Sequence, residues 1–281
     1  MTLPRQAFRS SGATDETRAP IGLRRLETVG GRFISRGRLT LDALYWLGWL
    51  AFSPRSVISS GVERELEWLG VGSLRLVTSA SILVGLIATF QVAYQLTPLG
   101  AEAINAQAIG WFAARELGPL SVALLVVARS ASAIAGELAS MSADGETDAL
   151  RAMGLDPVKY LVAPKVAALL VALPCLTILA DGLIVLGGLI GNVVFLGYNT
   201  NYYLGQFRDA FDLRDLVIGL GKSVVFAFVI SIIACDEGLS VEQRVAAIGG
   251  AATRAVVFCM IGVLAADTLV NAVFYFIPRF I

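Results

Sequence analysis

Residues 135–157, AGELASMSADGETDALRAMGLDP, separate two long apolar blocks of the chain. The stretch carries five carboxylates: Glu137, Asp144, Glu146, Asp148 and Asp156. The sequence on either side is almost wholly apolar. An apolar run of about 20 residues is long enough to cross a bilayer, so this stretch is predicted to be a polar connection between two membrane-spanning helices.

The composition of the whole chain agrees with a membrane protein. Of its 281 residues, 56% are hydrophobic and 16% are charged, and the mean hydropathy is +0.73. A soluble domain carries roughly a quarter charged residues. We therefore predict an all-α integral membrane protein with one membrane domain.

Apolar runs predict five spanning helices, and short basic flanks predict their orientation. The spans are expected at about 76–98, 114–137, 160–196, 216–235 and 252–277. The third is expected to be broken by Pro164, Pro174 and several glycines. Eight arginines precede residue 39, and basic flanks stay in the cytoplasm. This places the N-terminus in the cytoplasm and, after five spans, the C-terminus outside.

The chain divides into three predicted regions. Residues 1–38 are expected to form a flexible basic N-terminus, and 39–73 to form interfacial amphipathic helices. Trp46, Trp49 and Trp68 suit that interfacial depth. Residues 74–281 are expected to form the five-helix domain.

Several classes of function are disfavoured by what the sequence lacks. Without histidine, a Ser-His-Asp triad and the commonest zinc ligands are excluded. Cys175, Cys235 and Cys259 are far apart in apolar segments and are expected to be buried hydrophobes. No G-x-x-x-x-G-K-[ST] loop is present, so this chain is expected not to bind ATP itself. No metal or other cofactor is expected in this chain either. Nucleic-acid binding and a signal peptide are also not expected.

The polar connection is predicted to contain a short helix, within about 138–156. Asp144 is expected to cap it, with acidic residues in its first turn and Arg151 towards its end. Gly154 is expected to stop it, and Asp156-Pro157 to begin the next helix. A helix this short needs a partner surface to be stable. From the residues alone, a solvated turn and a docking helix for a cytoplasmic motor both remain open.

Four blocks of the sequence resemble the MlaE/YrbE permease family, the membrane subunits of ABC transporters that work with MCE-domain proteins. They are ARELGPLSVALLVVARSASAIAGELASM (114–141), DALRAMGLDPVKYLVAPKVAA (148–168), GKSVVFAF (221–228) and GAATRAVV (250–257). The resemblance covers about residues 75–277. It implies a homodimer in the bacterial inner membrane, with a cytoplasmic coupling helix on each subunit. It also implies a partner ATPase that binds ATP and Mg, and phospholipid carried to or from a periplasmic MCE-domain protein.

The resemblance also assigns residues to the contact with the ATPase. They lie in and beside the polar connection: Glu137, Met141, Asp144, Glu146, Leu150, Arg151 and Met153.

Four charged residues inside the predicted spans are candidates for function, because charge is costly in a bilayer. They are Arg129, Asp181, Lys222 and Asp267. Lys222 and Asp267 lie at similar depth and are predicted to pair, either to fix helix packing or to meet a lipid headgroup. Arg129 is expected to pair with an acid, with snorkelling or a phosphate as alternatives. Asp181 has no evident partner, and Gly187-x-x-x-Gly191 permits close helix packing.

A lipid pathway is expected to be lined by apolar side chains, although ordinary packing explains each of them as well. The candidates are Leu83, Leu86, Phe90, Tyr94, Leu96, Val270 and Phe274.

Three other functions compete with an ABC permease. A secondary transporter driven by protons through Asp181 and Asp267 needs a proton gradient and no ATPase. A non-transporting scaffold tolerates neutral replacement of the charges in its spans. An intramembrane lipid-modifying enzyme is disfavoured because the spans contain no histidine and no acidic cluster. The lipid, the direction of transport and the identity of the MCE partner stay open, and a chloroplast envelope is a second possible location.

Overall fold

The computed structural model describes residues 36–37, 39–45, 48, 59–100, 104–210, 212–241 and 247–276. Within those ranges the chain is helical and contains no strand, so the all-α prediction is confirmed. The predictions for residues 1–35, and those for Trp46 and Trp49, lie outside the described residues.

Five helical stretches in the described ranges are long and apolar enough to cross a membrane. They are Gly61–Leu96, Asn105–Ala143, Val158–Phe195, Leu213–Leu239 and Ile248–Phe276. We call them the first to fifth spans. Because the first stretch starts within the amphipathic helix Ser59–Leu69, which the turn Val71–Ser73 follows, the name first span is kept for its helix Leu74–Leu96. The α-helices are Ser59–Leu69, Leu74–Leu96, Asn105–Phe112, Gly118–Val126, Ser132–Ala143, Glu146–Ala152, Ala163–Ile190, Thr200–Ala210, Leu213–Leu239 and Ile248–Phe276. Five-residue π-helical segments complete the second and third spans: Ala113–Leu117, Val127–Ala131, Val158–Val162 and Gly191–Phe195.

The predicted start of the second span and the predicted break in the third span are wrong, for different reasons. The second span begins at Asn105 rather than near 114, because the small and apolar residues before Arg115 continue the helix. The third span is continuous and not broken. Pro164 lies at the junction between the π-helical segment Val158–Val162 and the α-helix that begins at Ala163, and the helix continues through it. Pro174 is held inside the helix by the neighbouring spans.

The spans alternate in direction, so the bundle has two ends. The helix Glu146–Ala152, called the loop helix below, joins the second and third spans and defines the loop-helix end. At the opposite end, the helix Thr200–Ala210 packs against Asn105–Phe112. Its Tyr203 is buried and donates a hydrogen bond to the carbonyl oxygen of Val185, 3.2 Å away. Burial raises the pKa of Tyr203 to about 12, so this donor stays protonated over the physiological range.

The first and third spans are in backbone contact. A Cβ atom added at Gly187 would collide with the carbonyl oxygen of Ile82, and one added at Gly85 would collide with that of Ile184. Gly191 faces the side chain of Thr89, and a Cβ atom added there would lie 2.9 Å from its Cγ2. The glycine spacing predicted to permit close packing therefore lies at a helix contact within the chain.

Gly187→Ala is expected to destabilise the bundle by about 1–3 kcal/mol, because the new methyl group would meet backbone atoms of the first span, which yield less readily than a flexible side chain. Thermal unfolding in detergent measures the effect. Gly182→Ala is the matched control in the same helix, since no atom lies within 4 Å of its added Cβ. Equal melting temperatures for the two variants would contradict the close contact.

Candidate functional site

A cavity of about 300 Å³ opens between the second, fourth and fifth spans, near the end opposite the loop helix. Aromatic side chains make up much of its wall, and charged and amide groups also line it. The lining residues are Trp111, Phe112, Arg115, Glu116, Ile218, Lys222, Asn271, Phe274 and Tyr275. A cavity with charged and apolar surfaces side by side can hold an amphiphile, with its polar and apolar parts on different surfaces.

Four side chains of this region form a closed ring, called the charge ring below. Lys222, which is 2% exposed, is ion-paired with Glu116, and its Nζ lies 2.9 Å from Asp267 Oδ1. The amide of Asn271 donates to Glu116 Oε1 at 2.6 Å and to Asp267 Oδ2 at 3.3 Å. The predicted pair of Lys222 and Asp267 is present, and the ring ties together three spans.

A second ion pair lies beside the charge ring. Arg115 donates to Asp215 Oδ1, and its guanidinium stacks over the Trp111 ring with its Cζ 4.8 Å from the ring centroid. With all groups ionised, the region holds three carboxylates and two cations. It therefore offers charges of both signs within one cavity.

Sequence reasoning missed Glu116, Asn271, Arg115 and Asp215. The second span was predicted to begin at about 114, next to the charged pair Arg115-Glu116, so these two residues were placed at the membrane boundary. The signal was in the small and apolar residues 105–113, which extend the helix and place the pair inside the span. The polar Asn271, one helical turn after Asp267, carried a weaker signal.

The loop helix follows a glycine rather than the predicted cap. Gly145 precedes it with φ = 78°, a conformation that favours glycine. The prediction that Asp144 caps the helix is wrong: Asp144 follows the preceding helix, and its Oδ2 accepts from Ser140 Oγ at 3.3 Å. The predicted end is confirmed, since Gly154 has φ = 77°. The predicted start of the next helix is also confirmed, since Asp156 Oδ1 accepts from the Val158 N–H at 2.9 Å.

The loop helix and Met153, which follows it, expose both charged and apolar side chains. Met153 is 66% exposed, and Glu146 and Arg151 are exposed as well. Arg151 pairs with Asp148 at 3.0 Å. Met141 and Leu150 are half-buried, and the buried side chain of the helix is Thr147.

The sequence profile described as Permease MlaE matches residues 62–273, which include the loop helix and all four members of the charge ring. The chain belongs to the MlaE permease family. A probable ABC transporter permease protein of Rickettsia typhi is 33% identical over 214 residues, which are 76% of this chain and 83% of that protein. One from Synechocystis is 30% identical over 199 residues, 71% of this chain and 76% of that protein.

A plant protein is similar over the same region. Protein Trigalactosyldiacylglycerol 1, chloroplastic, of Arabidopsis thaliana is 32% identical over 213 residues, which are 75% of this chain and 61% of that protein. As a member of the MlaE permease family, the chain is a multi-pass membrane subunit of an ABC transporter, and an ATPase partner follows from that class.

In this MlaE permease, Asp181 lies apart from the cavity. Its side chain is 8% exposed, packs against the backbone of Gly118, and leaves Oδ1 without a hydrogen-bond partner. No ion pair of Asp181 occurs within the described part of the chain. A lone carboxylate inside a bilayer is costly, so the neutral acid is the form that fits this environment.

Asp181→Asn is therefore expected to leave stability and transport close to those of the wild type, because the amide has the shape and the charge of the neutral acid. Transport in proteoliposomes and thermal unfolding measure this. A transporter driven by protons through Asp181 predicts loss of transport instead, so that result would favour the secondary-transporter alternative.

Arg129 binds neutral oxygens rather than the predicted acid. Its Nη1 donates to Ser73 Oγ at 2.7 Å and to the Trp68 carbonyl oxygen at 3.2 Å. These two acceptors flank the 3₁₀ turn Val71–Ser73 between the amphipathic helix Ser59–Leu69 and the first span. Arg129 thus holds this turn against the second span.

The apolar candidates for a lipid pathway lie on the first and fifth spans and differ in exposure. Leu83, Phe90 and Tyr94 are exposed on the first span, where Phe90 meets Phe195 edge to face at 5.3 Å. The half-buried candidates are Leu86, Leu96, Val270 and Phe274. Of all the candidates, Phe274 is the one that lines the cavity described here.

Proposed function

We propose that this chain moves phospholipid between the bacterial inner membrane and a periplasmic MCE-domain protein, powered by a separate ATPase. The observation that carries the proposal is the cavity, because it combines buried charge with aromatic walls. An amphiphile needs both surfaces at once, whereas a small ion needs no apolar wall of this kind.

The charges suit a phospholipid headgroup. Lys222 and Arg115 can bind a phosphate, and Glu116 and Asp267 can bind an ammonium group. The aromatic side chains Trp111, Phe112 and Phe274 can pack against the glycerol and the first methylenes of the acyl chains. Each charged group already has an ion-pair partner in the protein. A bound headgroup would take the place of that partner, so no charge is left buried and unpaired.

One relative supports a lipid cargo. The Arabidopsis protein carries the name of a galactolipid, trigalactosyldiacylglycerol. The MCE partner rests on the resemblance of the four sequence blocks to the MlaE/YrbE family.

The loop helix is the proposed docking site for the ATPase, which binds ATP and Mg. The exposed Glu146 and Arg151 of the loop helix offer two charged contacts, and Met153, directly after the helix, offers an apolar one. This puts the loop-helix end and the N-terminus in the cytoplasm, and the C-terminus in the periplasm. The cavity then lies towards the periplasm, where the MCE-domain protein collects or delivers lipid.

A homodimer is proposed because the first and fifth spans are the least buried of the five. They expose large apolar side chains, among them Leu83, Ile87, Ile261 and Leu264. A second copy of the chain can cover part of this surface, while lipid covers the rest.

The test is to purify the chain with its bound partners from native membranes in mild detergent. We expect an ATPase, an MCE-domain protein and phospholipid, identified by mass spectrometry, together with ATP hydrolysis. A chain that purifies without an ATPase and transports only under a proton gradient would support the secondary-transporter alternative. A complex without lipid or transport would support the scaffold.

A further inference from the structure

A second buried cluster, called the lysine triad below, lies towards the loop-helix end. Lys165 is 2% exposed, and its ammonium donates to Glu65 Oε1 at 2.8 Å and to Glu137 Oε2 at 2.7 Å. Glu65 is buried as well. Neither Glu65 nor Lys165 lines the cavity between the second, fourth and fifth spans.

The triad connects the two helices on either side of the loop helix in the sequence. Glu137 lies on the helix that leads into the loop helix, and Lys165 lies on the helix that leaves it. Their ion pair therefore closes the base of this hairpin. A displacement of the loop helix has to move Lys165 with it, or break the pair.

The third member extends the connection to the first span. Glu65 lies on the amphipathic helix Ser59–Leu69, which continues through the turn Val71–Ser73 into the first span. The helix packs on the third span, and Arg129 holds the turn. Beside the triad is a cavity of about 450 Å³ lined by Arg64, Trp68 and Ala133 together with the two carboxylates, which leaves room for movement.

We propose that the lysine triad couples the loop helix to the amphipathic helix and the first span, with Lys165 as the positioning residue. A buried ion pair adds little net stability compared with apolar packing. It does fix the relative positions of its partners, because one ammonium has to satisfy two carboxylates on different helices. This inference rests on the proposed docking of an ATPase at the loop helix.

Glu65→Leu is the sharpest test, because it removes the ion pair with the amphipathic helix and leaves Lys165 paired with Glu137. The contact of the ammonium with the Trp68 ring of that helix, 5.9 Å from the ring centroid, stays in place. In the reconstituted complex of permease, ATPase and MCE protein, we expect phospholipid moved per ATP hydrolysed to fall about tenfold, a typical coupling effect. The rate of ATP hydrolysis should stay close to that of the wild type. Glu67→Leu is the matched control, since Glu67 is exposed on the same helix.

Unchanged transport per ATP in Glu65→Leu would overturn the inference, as would an equal fall in transport and hydrolysis. If Glu65→Leu does not assemble into the complex, the same ratio of transport to ATP hydrolysis is measured in Glu65→Gln, which keeps the shape of the side chain, and the same outcomes apply.

A distance measurement tests the coupling without reference to the cargo. Spin labels at Glu67 and Ala152, both exposed, report the distance between the amphipathic helix and the loop helix in the ATPase complex. We expect the distance distribution to stay narrow with and without ATP in the wild type, and to broaden on ATP binding in Glu65→Leu. The same distribution in both proteins would overturn the inference, whereas a wild-type complex that hydrolyses ATP without moving lipid would overturn the proposed function alone.

Discussion

Lys222→Met is expected to abolish phospholipid binding in the cavity and to destabilise the bundle. The change leaves Glu116 and Asp267 facing each other with Asn271 as the remaining donor of the charge ring. Removing one partner of a buried ion pair typically costs about 3–5 kcal/mol. The cavity also loses a cation that can bind phosphate. Native mass spectrometry of the purified complex measures bound lipid, and thermal unfolding measures stability.

Two control variants show whether Lys222→Met loses lipid because the binding site is lost or because the protein unfolds. Arg214→Met removes an exposed cation from the first turn of the same helix, and should retain both lipid and stability. Asp267→Asn keeps the pair of Glu116 and Lys222, so it should fold while binding less lipid. Lipid occupancy in Lys222→Met equal to that in Arg214→Met would contradict the assignment of the cavity.

Met153→Asp is expected to weaken the association of the ATPase by about 30-fold, the effect of losing roughly 2 kcal/mol at the centre of an interface. Met153 is a large apolar side chain that is 66% exposed on the short turn beyond the loop helix. If it inserts into a pocket of the ATPase, a carboxylate there would be desolvated without a partner. Binding of the purified ATPase to permease in nanodiscs measures the affinity.

Leu213→Asp is the matched control for Met153→Asp. Leu213 has the same exposed fraction, 66%, but it begins the fourth span at the opposite end of the bundle. Its replacement should leave ATPase affinity unchanged. Equal weakening by both substitutions would show that the loop helix is not the docking site.

Features that depend on local pattern could be predicted from the sequence. Five apolar runs gave five spans, and Gly154 and Asp156 marked a helix end and a helix start, because hydrophobicity and turn chemistry act over a few residues. The cap was misjudged because two adjacent residues, Asp144 and Gly145, both suit that position, and backbone geometry decided between them.

Contacts between distant residues were harder to predict. Lys222 and Asp267 could be paired by depth alone, but Glu116 was placed at the membrane boundary because the predicted second span began too late in the sequence. Glu65 and Lys165 are 100 residues apart, and no periodicity relates them. Arg129 was expected to pair with an acid and instead donates to Ser73 and to a carbonyl oxygen, since neutral oxygens also accept hydrogen bonds from a half-buried guanidinium.

ATP-driven movement of phospholipid can be measured directly. Labelled phospholipid is followed from proteoliposomes that contain the complex to the soluble MCE-domain protein, or in the reverse direction. We expect transfer that requires ATP and the ATPase, is lost in Lys222→Met, and persists in Asp181→Asn without a proton gradient. Transfer that follows a proton gradient and ignores ATP, or that is unaffected by Lys222→Met, would contradict this expectation.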